Sequence, residues 1–87
     1  MGKRKYPPLK NREVVAILTA LGFKLVRTES THAQYERLAD GNHTRALVTV
    51  DNYPDFEEKM LKNLISQSTF SREEFYGATK ATLKKIQ

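Results

Sequence analysis

Gly22-Phe23-Lys24-Leu25-Val26-Arg27-Thr28-Glu29-Ser30-Thr31-His32-Ala33-Gln34-Tyr35 holds two strand-forming runs joined by a short polar link. Phe23–Thr28 is rich in residues that fit a pleated surface, and His32–Leu38 carries Tyr35 among polar neighbours. Glu29-Ser30-Thr31 is too short to be anything but a turn, so the runs form an antiparallel hairpin. Gly22 supplies the left-handed residue that ends a preceding helix.

Working outward, Asn11 is the expected N-cap of a helix running to about Leu21. Val14, Leu18 and Leu21 fall at i, i+4 and i+7, and Val15 and Ile17 widen that stripe. Downstream, Asp40-Gly41-Asn42 signals a second hairpin turn. It leads to Arg45–Val50, with Ala46, Val48 and Val50 on one face and Arg45, Leu47 and Thr49 on the other. Alternation of this kind predicts a sheet with one solvated face. Pro54 and Asp55 are expected to open a second helix, with Asp55 and Glu58 as a capping box. Phe56, Met60, Leu61, Leu64 and Ile65 form its apolar stripe, and it ends near Ser68. A second capping box, Ser71-x-x-Glu74, starts a short third helix with Phe75 inward.

The order α-β-β-β-α predicts an α+β fold, a three-stranded antiparallel sheet with helices on one face, plus a short C-terminal helix. Residues 1–9, basic and containing Pro7-Pro8, are expected as a flexible arm that docks at its end. Residues 10–79 form a single domain, and 80–87 a basic tail or helix extension.

With 87 residues the chain fits one small core and an open rather than enclosed site. Lys and Arg outnumber Asp and Glu by 15 to 10, which favours polyanionic partners, nucleic acid first. The excess lies early: Lys3, Arg4, Lys5, Lys10, Arg12, Lys24 and Arg27 face only Glu13 within residues 1–28. The absence of cysteine excludes disulfides, thiolate nucleophiles and cysteine-ligated metals. No apolar run reaches a membrane span and no signal peptide is visible, so the expected location is cytoplasmic, with no membrane partner.

Chemistry-bearing residues are few. His43 falls in the second turn, where a solvated polar residue without a chemical role is expected. His32 opens the second strand at the sheet edge and is expected close to Lys24 and Arg27. Imidazole exchanges protons near neutrality, and neighbouring cations grip phosphate or balance an oxyanion. RNA is a substrate for which so sparse a site suffices, because the ribose 2′-hydroxyl is a built-in nucleophile. Asp51, Asp55, Glu57 and Glu58 are the one carboxylate cluster that could be weighed for a metal nuclease. Crowded at a helix start, they match that pattern weakly, so no metal site and no cofactor is expected. The sequence holds neither a Gly-rich phosphate loop nor a GxSxG setting.

Leu21-Gly22-Phe23-Lys24-Leu25-Val26-Arg27 followed by Thr31-His32 and Tyr35 resembles the HicA toxins, whose signature across the first two strands runs GF…VR…GSH…Y. Leu61-Lys62-Asn63-Leu64-Ile65 and Ser71-Arg72-Glu73-Glu74-Phe75 are similar to that family's second and closing helices. The resemblance covers about residues 10–78. It implies a double-stranded-RNA-binding-like (dsRBD-like) domain that cleaves mRNA as a metal-independent endoribonuclease, an mRNA interferase. It also implies a HicB-like antitoxin partner that covers the active site, and a catalytic role for His32. Lys24, Arg27, Ser30 and Thr31 are the expected RNA contacts. Ser30 stands where the signature carries Gly and lacks glycine's freedom at positive φ, so the turn must be one that serine tolerates. Thr31 replaces Ser and keeps a hydroxyl, and Ala33 stands where many members carry a second histidine.

Two other classes fit the same outline. One is a non-catalytic RNA-binding domain, which reads duplex shape without chemistry. The other is a protein-interaction adaptor docking through an exposed apolar patch at Leu47 or Phe75-Tyr76. A binder tolerates loss of His32, and an adaptor tolerates charge reversal at Lys24 and Arg27.

Overall fold

The computed structural model describes residues 5–87. Nine elements follow in order: β1 (Leu9–Lys10), α1 (Asn11–Ala20), β2 (Lys24–Glu29), β3 (His32–Arg37), β4 (Ala46–Asp51), β5 (Asp55–Phe56), α2 (Glu58–Ser68), α3 (Arg72–Tyr76) and α4 (Lys80–Leu83). Strands β2, β3 and β4 form an antiparallel sheet in that order, and β1 pairs with β5 in a separate ribbon. The architecture is α+β and dsRBD-like, with helices on one face of the three-stranded sheet and a short helix at the C-terminus.

Register follows from what must be buried. Ala46, Val48 and Val50 of β4 are buried, and they lie opposite Arg37, Tyr35 and Ala33 of β3. Directly paired residues share a face. The inner face therefore carries these side chains, and the outer face carries His32, Gln34 and Glu36 opposite Asp51, Thr49 and Leu47. On the other side of β3, Glu29 pairs with His32, Arg27 with Gln34 and Lys24 with Glu36. Val26 is the extra residue of a bulge between Leu25 and Arg27. It bends this edge strand, whose six residues are all exposed.

Val14, Ile17 and Leu18 of α1 and Leu61, Leu64 and Ile65 of α2 bury their stripes against the inner face, joined by Phe23, Phe75 and Tyr76. Full burial of Phe75 and Tyr76 removes them as an exposed docking patch, while Leu47 stays 39% exposed. Gly22 has φ +97°, the conformation that its place after α1 demands.

Two helix starts differ from expectation. The residue preceding α1 in extended conformation is Lys10, and its backbone N–H donates to Glu13 Oε1 at 2.8 Å. Asn11 lies inside the helix, its side chain spent elsewhere. Likewise Asp55 does not cap α2. Asp55 and Phe56 pair with Lys10 and Leu9, and α2 begins at Glu58 after an extended Glu57. Burial explains this: Phe56 and Leu9 are almost completely enclosed, and the ribbon is what lets both enter the core. The Ser71–Glu74 capping box forms as the spacing predicts, with Glu74 N donating to Ser71 Oγ at 3.1 Å and Ser71 N to Glu74 Oε1 at 2.9 Å.

Residues 1–4 of the expected arm lie outside the described residues. From Lys5 onward the segment is docked: Arg72 donates to Lys5 O, and the buried Tyr76 hydroxyl donates to Pro7 O at 2.9 Å. At the other end, Thr79 caps α4, and Thr82 and Ile86 pack into or against the core.

Candidate active site

His32 begins β3 directly after the turn at Ser30 and Thr31. Ser30 has φ +54°, the left-handed geometry in which glycine costs nothing and serine costs about 1–2 kcal/mol. That turn brings β2 back beside β3 and sets the imidazole on the outer face, facing the last residue of β4. His32 Nδ1 and Asp51 Oδ1 are hydrogen-bonded. The two side chains are 56% and 39% exposed, so solvent reaches the pair. Nε2 has no partner among the described residues.

The Asp51 side of the pair is braced from several directions. Asn52 N donates to Thr31 O at 2.8 Å, tying the end of β4 to the β2–β3 turn. Asn11, at the start of α1, donates from its side chain to Asp51 O at 3.4 Å and Tyr53 O at 3.0 Å. A pocket of about 190 Å³ opens at this end of the sheet, lined by residues of the turn (Ser30, Thr31), His32, Asp51 and Asn52, and on its inner side by Val15, Ala33 and Val50. An exposed imidazole with one unpartnered nitrogen, at the same end of the sheet as the Ser30 and Thr31 hydroxyls, can exchange a proton with a polar substrate.

The expected site residues are distributed unequally. Ser30 and Thr31 share the pocket with His32. Arg27 lies on the same outer face two pairings away, and its guanidinium is 2.8 Å from Glu29 Oε2. Lys24 is also on the outer face but at the opposite end of β2, about 16 Å along the strand from Glu29, the partner of His32. Lys24 instead borders Gly22, Glu36, Arg37 and Leu38. Charges along this face are largely matched, since Arg45 pairs with Glu36 as Arg27 does with Glu29.

The carboxylates weighed for a metal do not gather. Asp51 is engaged by His32, and Asp55 lies 3.9 Å from Lys10 Nζ. No three metal-ligating side chains come together among the described residues. Nor, among them, is any helix long and apolar enough to cross a membrane.

His43 is not the solvated turn residue its place suggested. Its ring stacks on Phe70 at 4.3 Å, and only 25% of its side chain is exposed. Arg37 lies over the same Phe70 ring, 5.3 Å from its centroid. This cluster is at the far end of β3, about five residues and 16 Å from His32, so the two histidines do not cooperate.

Asp51 and Asn11 are what residue-by-residue reading overlooked. Alternation in β4 puts Asp51 on the outer face, and alternation in β3 does the same for His32. Their meeting additionally requires the register across an eight-residue connection, residues 38–45, which no local signal sets.

A family model, the HicA toxin of bacterial toxin–antitoxin systems, matches residues 12–69, more than half of the 87-residue chain. The match spans α1 from its second residue, the whole three-stranded sheet, the turn at Ser30, His32, Asp51 and α2. No curated protein and no solved structure matches the chain. By that match, the chain belongs to the HicA toxin family of bacterial toxin–antitoxin systems.

Proposed function

We propose that this toxin is a metal-independent endoribonuclease that cleaves mRNA, with His32 as its catalytic residue. The observation that carries the reading is the half-exposed imidazole whose Nδ1 is engaged by Asp51 and whose Nε2 has no partner among the described residues. An aspartate on one ring nitrogen orients the ring and stabilises the imidazolium that forms when the other nitrogen takes a proton.

In this mechanism Nε2 removes the proton of a ribose 2′-hydroxyl. The 2′ oxygen bonds to phosphorus, the bond from phosphorus to the 5′ oxygen breaks, and a water protonates the leaving oxygen. The products are a 2′,3′-cyclic phosphate and a 5′-hydroxyl. Ser30 and Thr31 contact the ribose or phosphate from the pocket wall. Arg27 and Lys24 act farther along the sheet, holding the RNA strand by its phosphates and making binding salt-dependent. A HicB-like antitoxin silences the toxin by covering this end of the sheet, and both partners act in the cytoplasm.

The test is incubation with a long mRNA in EDTA, beside a folded His32→Ala variant. Cleavage by the wild type, with a loss of about 10²–10⁴-fold in the variant, is the expected result. Products ending in a 3′-hydroxyl overturn the mechanism. Equal rates for both proteins overturn the role of His32.

A further inference from the structure

A groove of about 640 Å³ runs between the end of β4, the β5 ribbon and α2. That is within the roughly 300–1,000 Å³ typical of small-ligand sites. Phe56, Met60 and Leu64 give it an apolar wall, and Tyr53, Asn63 and Gln67 border it. Asp51, whose carboxylate meets His32, lines this groove as well as the pocket of His32, so the two share a wall.

Three features describe the occupant. The first is Tyr53, a residue 50% exposed whose ring stands edge-on to Phe56 at 6.3 Å. Its backbone is fixed on both sides: N donates to Asp51 O at 2.8 Å, and O accepts from Asn11 at 3.0 Å. A flat aromatic surface held this way suits a stacked planar ring. The second is the row of amides along α2. Asn63 and Gln67 are one turn apart, and so project from the same helix face. Gln67 Oε1 accepts from Thr49 N at 3.0 Å, which leaves its amide hydrogens unspent. The Asn63 side chain makes no hydrogen bond among the described residues. The third is Lys59, one turn earlier in the same row, which has no ion-pair partner among the described residues.

We propose that this groove is a subsite for one unpaired RNA nucleobase, next to the phosphodiester that His32 attacks. The proposal rests on the ribonuclease reading for the identity of the ligand. The base stacks on Tyr53, its edge meets the Asn63 and Gln67 amides, and Lys59 approaches the neighbouring phosphate. Asparagine and glutamine side chains bond bidentately to adenine, and stacking on an aromatic ring serves any base. A base held in a duplex cannot enter, so the groove selects single-stranded segments. A protein strand is a poorer occupant. It would need the free edge of β4, and Gln67 already occupies the N–H of Thr49 on that edge.

The experiment is an amide-resolved NMR titration of the full chain with the four nucleoside 5′-monophosphates and with ribose 5-phosphate. Saturable shifts at Tyr53, Thr49 and the Asn63 and Gln67 side-chain amides are expected for nucleotides and not for ribose 5-phosphate. Tyr53→Ala, an exposed change, weakens binding about tenfold. Asn63→Leu alters the order of preference among the bases. Shifts confined to other surfaces, shifts equal for ribose 5-phosphate, or a groove that responds only to an antitoxin peptide each overturn the subsite. RNA cleavage is read separately on the same protein. Nucleotide bound without cleavage removes the ribonuclease reading and keeps the subsite, whereas cleavage with an unresponsive groove does the reverse.

Discussion

His32 and Asp51 are direct cross-strand partners at the open end of the sheet, and their side chains meet through Nδ1 and Oδ1. Backbone pairing thus sets the distance between imidazole and carboxylate before either side chain chooses a rotamer. Two consequences follow for the variant Asp51→Asn. The asparagine keeps the shape but loses the charge that favours the imidazolium. A charge-assisted hydrogen bond is worth about 1.5–3 kcal/mol, so cleavage slows by about 10–100-fold with little change in melting temperature. Single-turnover rates on a fixed RNA measure this. A rate equal to wild type would remove Asp51 from the mechanism.

Ser30 and Thr69 are the two non-glycine residues with positive φ among the described residues, at +54° and +66°. Thr69 ends α2 and is the more strained of the pair, because its branched Cβ crowds the left-handed conformation. Replacing either by glycine relieves about 1–2 kcal/mol and returns part of it as entropy of the unfolded chain. The expected net gain is about 0.5–1 kcal/mol for each, or a melting temperature higher by about 4 °C. A lower melting temperature for Ser30→Gly would mean that its hydroxyl holds the turn.

Asp40 organises the β3–β4 connection. Its carboxyl is held down at about 2, first by the Asn42 N–H, then by the Arg37 guanidinium and the His43 N–H. Because the folded value lies below the ordinary 3.8, Asp40 stabilises the fold fully above that value. The contribution disappears as pH falls toward about 2. Asp40→Asn is therefore less stable than wild type at pH 6, and the two converge near pH 2. Urea midpoints across this range test it. A constant gap would assign the effect to something other than ionisation.

Periodicity carried the sheet, the two hairpins and the α3 cap, because each rests on neighbours within a few residues. What it missed depends on distant partners. Phe56 fits the apolar stripe of a helix, yet it is drawn into a strand by Leu9, far earlier in the chain. Asn11 has the side chain of a cap and spends it on carbonyls forty residues away, at Asp51 and Tyr53. His43 does lie in the connection between β3 and β4, but only the packing of Phe70 shows that it is covered. Within the candidate site, His32, Ser30 and Thr31 were legible from one contiguous stretch. Asp51 was not, since its role depends on strand register.

The Leu9–Phe56 pair ties this long-range order to the site. Leu9 is 1% exposed and Phe56 2%, and their pairing fixes where β5 lies. Asn11 N donates to Pro54 O at 3.0 Å, so the ribbon also positions the segment from Asp51 to Pro54. Leu9→Ala opens a cavity where the core cannot easily collapse, costing about 2–5 kcal/mol. Leu25→Ala is the matched control, because Leu25 is 55% exposed and its removal costs at most about 0.5 kcal/mol. Urea unfolding of the two variants is expected to differ by several-fold in the energy lost. At temperatures where Leu9→Ala remains folded, its cleavage rate is also expected to fall, since the brace on Asp51 and Tyr53 loosens. Equal stability for the two variants would mean that the ribbon is peripheral to the fold. Lost stability with unchanged cleavage would mean that Asn11 holds the Asp51–Tyr53 segment without the ribbon.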